Sequence, residues 1–133
     1  MAMMHSGDAA ALREYQRIKV SSEVEEATPH RLIQLLMERA LAKMALAKSH
    51  MEGANVSEKG NLIGDAIDII SALQQCLNYK ADEQLAGNFD ALYDYMLRRL
   101  LQANLTNDTW ILTEVSGLLG EIKEAWDVIQ DRE

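Results

Sequence analysis

Few side chains in this sequence are spaced for chemistry. The three histidines, His5, His30 and His50, have no metal-ligand spacing between them. No Glu-x-x-His pair occurs, so the signature of a di-iron carboxylate bundle is missing. Asp65/Asp68 and Asp90/Asp94 bring carboxylates together at helical spacing. An acid–base dyad would need such a pair buried in a cleft, with the two pKa values pushed apart. These read instead as a solvated acidic face, with Asp94 paired to Arg98 one turn on. Cys76 falls in an apolar stripe with no histidine or basic residue beside it, which predicts a buried core thiol rather than a nucleophile. There is no glycine-rich phosphate loop. The expectation is a protein that is not an enzyme and takes neither metal nor cofactor.

The elements that would position these residues are helices. The chain has 133 residues, enough for one core. One proline and seven glycines are too few for the turns of a β-sandwich, and Leu, Ala, Glu, Met, Gln and Arg abound. Thr28-Pro29 supplies a capping hydroxyl followed by proline at the first helical position. The helix that it starts runs to about Glu52. Ser57 is expected to cap a second helix to about Asn78, and a third spans about Glu83 to Asn104. Asn107 or Asp108 caps a fourth that ends near Gln130. Short connections make neighbours antiparallel. The fold expected is all-α: an antiparallel up-down four-helix bundle over 28–133. An N-terminal segment, 1–27, would hold a short extra helix and an acidic linker.

Apolar periodicity marks the seams. They are Ile33, Leu36, Met37, Ala40, Met44, Ala47 and Met51; Leu62, Ala66, Ile69, Leu73 and Cys76; Leu85, Phe89, Leu92, Met96, Leu100 and Ala103; and Ile111, Val115, Leu118, Ile122, Ala125 and Ile129. Further apolar residues lie off these stripes: Leu35, Ala42 and Leu46, Ile63 and Ile67, Leu97 and Leu101, and Leu112 and Leu119. Such surplus must be covered by the N-terminal helix, a second subunit or a client segment. Leu35, Leu46, Ile63, Ile67, Leu97 and Leu101 are the expected client-groove residues. Leu12, Tyr15 and Ile18 share a face of a helix too short to be stable alone, and are the expected cap over one groove. Gly117 and Gly120 are read as sites of close helix approach.

The net charge of −8 argues against nucleic-acid binding. No charge-free run approaches the roughly 20 residues of a membrane span. The start, Met1 to Ala10, lacks the regions of a signal peptide, and a lone cysteine suits a reducing compartment.

The stretch Asn88 to Asp108, with Leu92-Tyr93-Asp94-Tyr95-Met96, Arg98-Arg99-Leu100, Ala103-Asn104 and Asn107-Asp108, resembles the FliS family of flagellin export chaperones. Tyr15-Gln16 is similar to that family's N-terminal tyrosine motif, Thr28-Pro29-His30-Arg31-Leu32-Ile33 to its helix start, and Glu114 to Leu119 with Ala125-Trp126 to its last helix. The resemblance covers about Tyr15 to Trp126. One departure is visible: Leu36-Met37-Glu38-Arg39 stands where the family often has Leu-Tyr-Asp-Gly. The resemblance implies a small cytoplasmic helical bundle that binds the disordered C-terminal region of flagellin. It would prevent early polymerisation and deliver flagellin to the export apparatus, export-gate components among its partners, without nucleotide or metal. The alternative is a structural bundle that dimerises or binds another amphipathic helix through the same surplus stripes.

Overall fold

The computed structural model describes residues 28–53, 55–77 and 83–129, with only the backbone of Leu85. The expected N-terminal helix, its cap residues Leu12, Tyr15 and Ile18, and the boundary at residue 27 lie outside the described residues. Four helices follow in order: α1 (Pro29–Glu52), α2 (Val56–Gln75), α3 (Glu83–Thr106) and α4 (Thr109–Val128). Three of the starts have a local cause. Thr28 is extended and its Oγ1 accepts from the Arg31 amide at 3.2 Å, with Pro29 next in line. The Asn55 side chain accepts from the Glu58 amide, so Asn55, and not Ser57, caps α2. Asp108 takes the Trp110 amide at 2.9 Å and caps α4, while Asn107 turns the chain at φ 54, a conformation that asparagine tolerates. The second helix ends at Gln75, three residues before the expected end, and Cys76 is its C-cap.

Cross-helix bonds fix direction and register. Along α1 and α4, His30 meets Trp126, Gln34 meets Asp127, Glu38 meets Lys123 and Met44 meets Ser116, so the two run antiparallel. Along α2 and α3, Lys59 meets Asn104 and Gln74 meets Asp90, again antiparallel. Lys43 to Asp65 ties α1 to α2, and Tyr95 and Arg99 to Glu114 tie α3 to α4. Each helix therefore touches two neighbours around a square.

That geometry widens the buried arc beyond one stripe. Met37, Ala40, Met44, Ala47 and Met51 alternate large and small along α1. On α2, Ile63 and Ile70 are as buried as Leu62, Ala66, Ile69 and Leu73. On α4, Leu112 and Leu119 are core residues, because they face the second neighbour while Ile111 and Val115 face the first. On α3, Tyr93 rather than Leu92 joins Met96 and Leu100 inside. Gly117 and Gly120 do not mark close approach: a Cβ at either would meet nothing within 4 Å.

Candidate functional site

The carboxylates singled out for chemistry are all occupied structurally. Asp65 takes Lys43 Nζ at 2.9 Å, Asp90 takes the Gln74 amide at 2.8 Å, and Asp94 pairs with Arg98 at 3.6 Å. Among the described residues, no group of three or more His, Cys, Asp or Glu could hold a metal. Glu114 is a doubly bonded carboxylate that joins two helices. It accepts from Tyr95 Oη at 2.6 Å and from Arg99 Nε at 2.8 Å. These two bonds hold its pKa below the usual value and raise those of Tyr95 and Arg99. The trio is a cross-brace between α3 and α4.

What remains is apolar surface, in two places. The first is the α2–α3 face. The bonds at Lys59–Asn104 and Gln74–Asp90 set a register in which Ile67 lies across from Leu97 and Ile63 across from Leu101. Ile67 and Leu97 are half-buried against the core. Leu101 is 55% exposed, and Leu105, one turn on, is 86% exposed. Leu97, Leu101 and Leu105 thus make a strip at four-residue spacing. At the same end of the bundle, Val56 opens α2 and Trp110 opens α4, both exposed. On the facing helix Gly60 and Gly64 leave the backbone bare, with only Asn104 Oδ1 within 4 Å of either Cβ position.

Of the six expected groove residues, Ile67, Leu97 and Leu101 come together here. Ile63 does not line a surface; it is fully buried in the core, because α2 buries a second stripe against its second neighbour. Leu35 and Leu46 belong elsewhere, with exposed Ala42 on the outer side of α1. Leu46 is 52% exposed and Leu35 is half-buried. The sequence pattern passed over Val56, Leu105 and Trp110. Their signal was an apolar side chain at a helix end, out of phase with the buried stripe.

The second place is the end of the bundle where α1 and α3 begin and α2 and α4 finish. A cavity of about 140 Å³ opens there, lined from all four helices by residues that include Met37, Leu73, Phe89, Tyr93, Ile122 and Trp126. Cys76 is exposed at its edge and is not a core thiol, because α2 stops there; its apolar surroundings still push the thiol pKa up. Burial pushes the Tyr93 phenol up to about 12, with Cys76 adding to the effect. The rim is pinned by His30, whose ring stacks on Trp126 with centroids 4.8 Å apart.

A helical bundle with an apolar strip and a cavity open to solvent has the surface of a protein that works by binding. The comparisons give the family. The family described as "Flagellar protein FliS" matches residues 11–133. The chain is 49% identical over 119 residues to the flagellar secretion chaperone FliSB of Pseudomonas aeruginosa, covering 90% of this chain and 94% of that one. It is 40% identical over 125 residues to the flagellar secretion chaperone FliS of Salmonella typhimurium, covering 93% of each. With FliS of Vibrio cholerae it shares 38% over 119 residues, 90% of this chain and 88% of that one. The chain belongs to the FliS family, a family of chaperones and not of enzymes.

Proposed function

We propose that this chain is an export chaperone of flagellum biogenesis that binds the disordered C-terminal region of flagellin in the cytoplasm. It keeps flagellin from assembling early and helps deliver it to the flagellar type III export apparatus. Membership of the FliS family and the names of the relatives support the export role. The observation that carries the client assignment is the α2–α3 strip of Ile67, Leu97, Leu101 and Leu105 beside the bare backbone of Gly60 and Gly64. An unfolded client that becomes helical lays its apolar face into such a groove. Its affinity must exceed the entropy of ordering it, which calls for a broad apolar surface rather than a few polar contacts. Leu35 and Leu46, on the outer side of α1, are a second candidate surface for the same client. No helix among the described residues is long and apolar enough to cross a membrane.

In the free chain, Leu12, Tyr15 and Ile18 cover part of the strip and leave when the client arrives. Residues 11–19 carry Arg13, Arg17 and Lys19 against Glu14, and the chain as a whole is acidic, so charge favours that contact.

Titration calorimetry against the C-terminal segment of the host's own flagellin tests the reading. Binding near one to one, with a large negative heat-capacity change, is expected. No heat at about 50 μM protein, well above the range of specific complexes, overturns the assignment for that flagellin. Self-association of the free chain through the strip, seen by light scattering and unaffected by flagellin, points instead to a structural dimer.

A further inference from the structure

We propose that the cavity at the α1–α3 start of the bundle is a binding site for one free, neutral, single-ring aromatic molecule of phenol size. This goes beyond the client assignment and does not depend on it. Size is the first argument. The cavity measures about 140 Å³. A space of about this size has room for one benzene-sized ring, and here it is open to solvent on one side, which gives a ligand a way in.

Chemistry is the second. The lining holds no side chain that is charged at neutral pH, so an ionised ligand would lose its hydration with nothing to replace it. The lining includes three aromatic residues, Phe89, Tyr93 and Trp126, and two with sulfur, Met37 and Cys76; both kinds of neighbour favour an aromatic guest over an aliphatic one of equal volume. Tyr93 and Cys76 are the lining residues with a hydroxyl or thiol. Both stay protonated at neutral pH, since burial raises both pKa values. A phenolic hydroxyl can donate to or accept from these groups, whereas a carboxylate would find donors but no cation to offset the loss of its hydration.

Preorganisation is the third. The lining comes from all four helices, and the rim is held by two hydrogen bonds and a ring stack between His30 and Trp126. The walls do not have to be assembled when a ligand enters, which removes an ordering cost. A guest in this position touches every helix and stabilises the bundle as a unit.

Cys76 supplies the readout, because it is the sole cysteine of the chain, is exposed, and lines the cavity. The full-length chain is treated with a thiol-modifying reagent while phenol, toluene or benzoate is added. Phenol is expected to protect a fraction of chains that saturates along a one-site curve, half at its dissociation constant and about nine-tenths, a tenfold slowing, at ten times that concentration. Toluene acts at higher concentration and benzoate has no effect. In Ala125→Phe, or in Ile129→Phe should the first variant not fold, the added ring fills the cavity from its rim and phenol protection disappears. Protection that never saturates, protection by benzoate equal to that by phenol, or protection retained in a folded cavity-filled variant overturns the proposal. So does the absence of protection in the unaltered chain.

Discussion

His30 and Trp126 hold each other at three points. The His30 ring Nε2 lies 2.8 Å from the Trp126 carbonyl, the Trp126 indole Nε1 donates to the His30 carbonyl at 3.0 Å, and the rings stack 13° from parallel. The residues are 96 positions apart, so the pair clamps the first turn of α1 to the last turn of α4. Gln34 and Lys123 reinforce the clamp through Asp127, whose pKa is held below its usual value first by Lys123 and then by Gln34.

Breaking this clamp should loosen one end of the bundle without unfolding it. His30→Ala is expected to cost about 1–2 kcal/mol, and Trp126→Ala about 2–4 kcal/mol because it also removes a cavity wall. The two losses should not add. A double-mutant cycle by urea unfolding is expected to give a coupling energy of about 1 kcal/mol or more. Additive losses would show that the ring stack contributes nothing to stability, since each hydrogen bond ends on a backbone carbonyl and is lost with one side chain alone.

Lys59 makes the second prediction. It is a buried charged side chain, and its Nζ donates to the Asn104 carbonyl at 3.0 Å. That carbonyl is one of the last four of α3, which have no partner within the helix, and a cation there also meets the negative end of the helix dipole. Lys59→Met keeps the apolar stem and loses the bond. It should lower stability by about 1–2 kcal/mol, with faster amide exchange confined to the last turn of α3. Stability equal to that of the unaltered chain would mean that water caps the helix as well as the lysine does.

Much of this fold was legible because its signals are local. The capping hydroxyl and proline at Thr28-Pro29, and the heptad-like Met and Ala pattern of α1, need no knowledge of the rest of the chain. The rest needed the neighbours. Ile63, Leu112 and Leu119 looked surplus because a helix wheel was given one buried stripe, whereas a helix between two neighbours buries two. Tyr93 looked no more buried than Leu92 until α2 and α4 closed over it. The partners of Lys59 and His30 lie 45 and 96 residues away, where periodicity carries no information. Of the site, the Ile67, Leu97 and Leu101 cluster was readable from phase alone, and the cavity was not, since it exists only where four helix ends meet.

The Glu114 brace predicts a pH dependence. Its hydrogen bonds from Tyr95 and Arg99 favour the carboxylate, so its folded pKa lies below the ordinary value of 4.5. A depressed acid pKa gives stability that is present above the ordinary value and is lost as the pH falls through the folded one. The unaltered chain should therefore lose stability as the pH falls below about 4.5. Glu114→Gln should be less stable at neutral pH and should show a shallower acid slope, with Asp127 supplying what remains. Parallel slopes for the two proteins, followed by thermal unfolding, would rule out Glu114 as a source of the acid sensitivity.

The surface and core positions across α2–α3 should separate cleanly. Leu101 and Ile63 face each other in register, yet one is half-exposed and the other fully buried. Leu101→Asp is expected to leave stability within about 0.5 kcal/mol and to weaken binding of the flagellin segment about tenfold or more. Ile63→Ala should do the reverse, costing about 2–5 kcal/mol while the folded fraction binds normally. Full affinity in Leu101→Asp would remove this strip from the client site and leave the outer face of α1, with Leu35 and Leu46, as the surface to map.

The N-terminal cap gives the last prediction. If Leu12, Tyr15 and Ile18 occupy the strip in the free chain, the client binds only the fraction from which they have withdrawn. Deleting residues 1–19 removes that competitor, so the flagellin segment should bind more tightly, or equally tightly where the cap is already mostly released. The basic residues Arg13, Arg17 and Lys19 add a salt dependence. Raising the salt screens their attraction to the acidic chain and should narrow the gap between the truncated and full-length proteins. Calorimetry at low and high salt measures both effects. A truncated chain that keeps its helical signal but no longer binds would mean that the segment helps to hold the client, and the displaceable cap would be wrong.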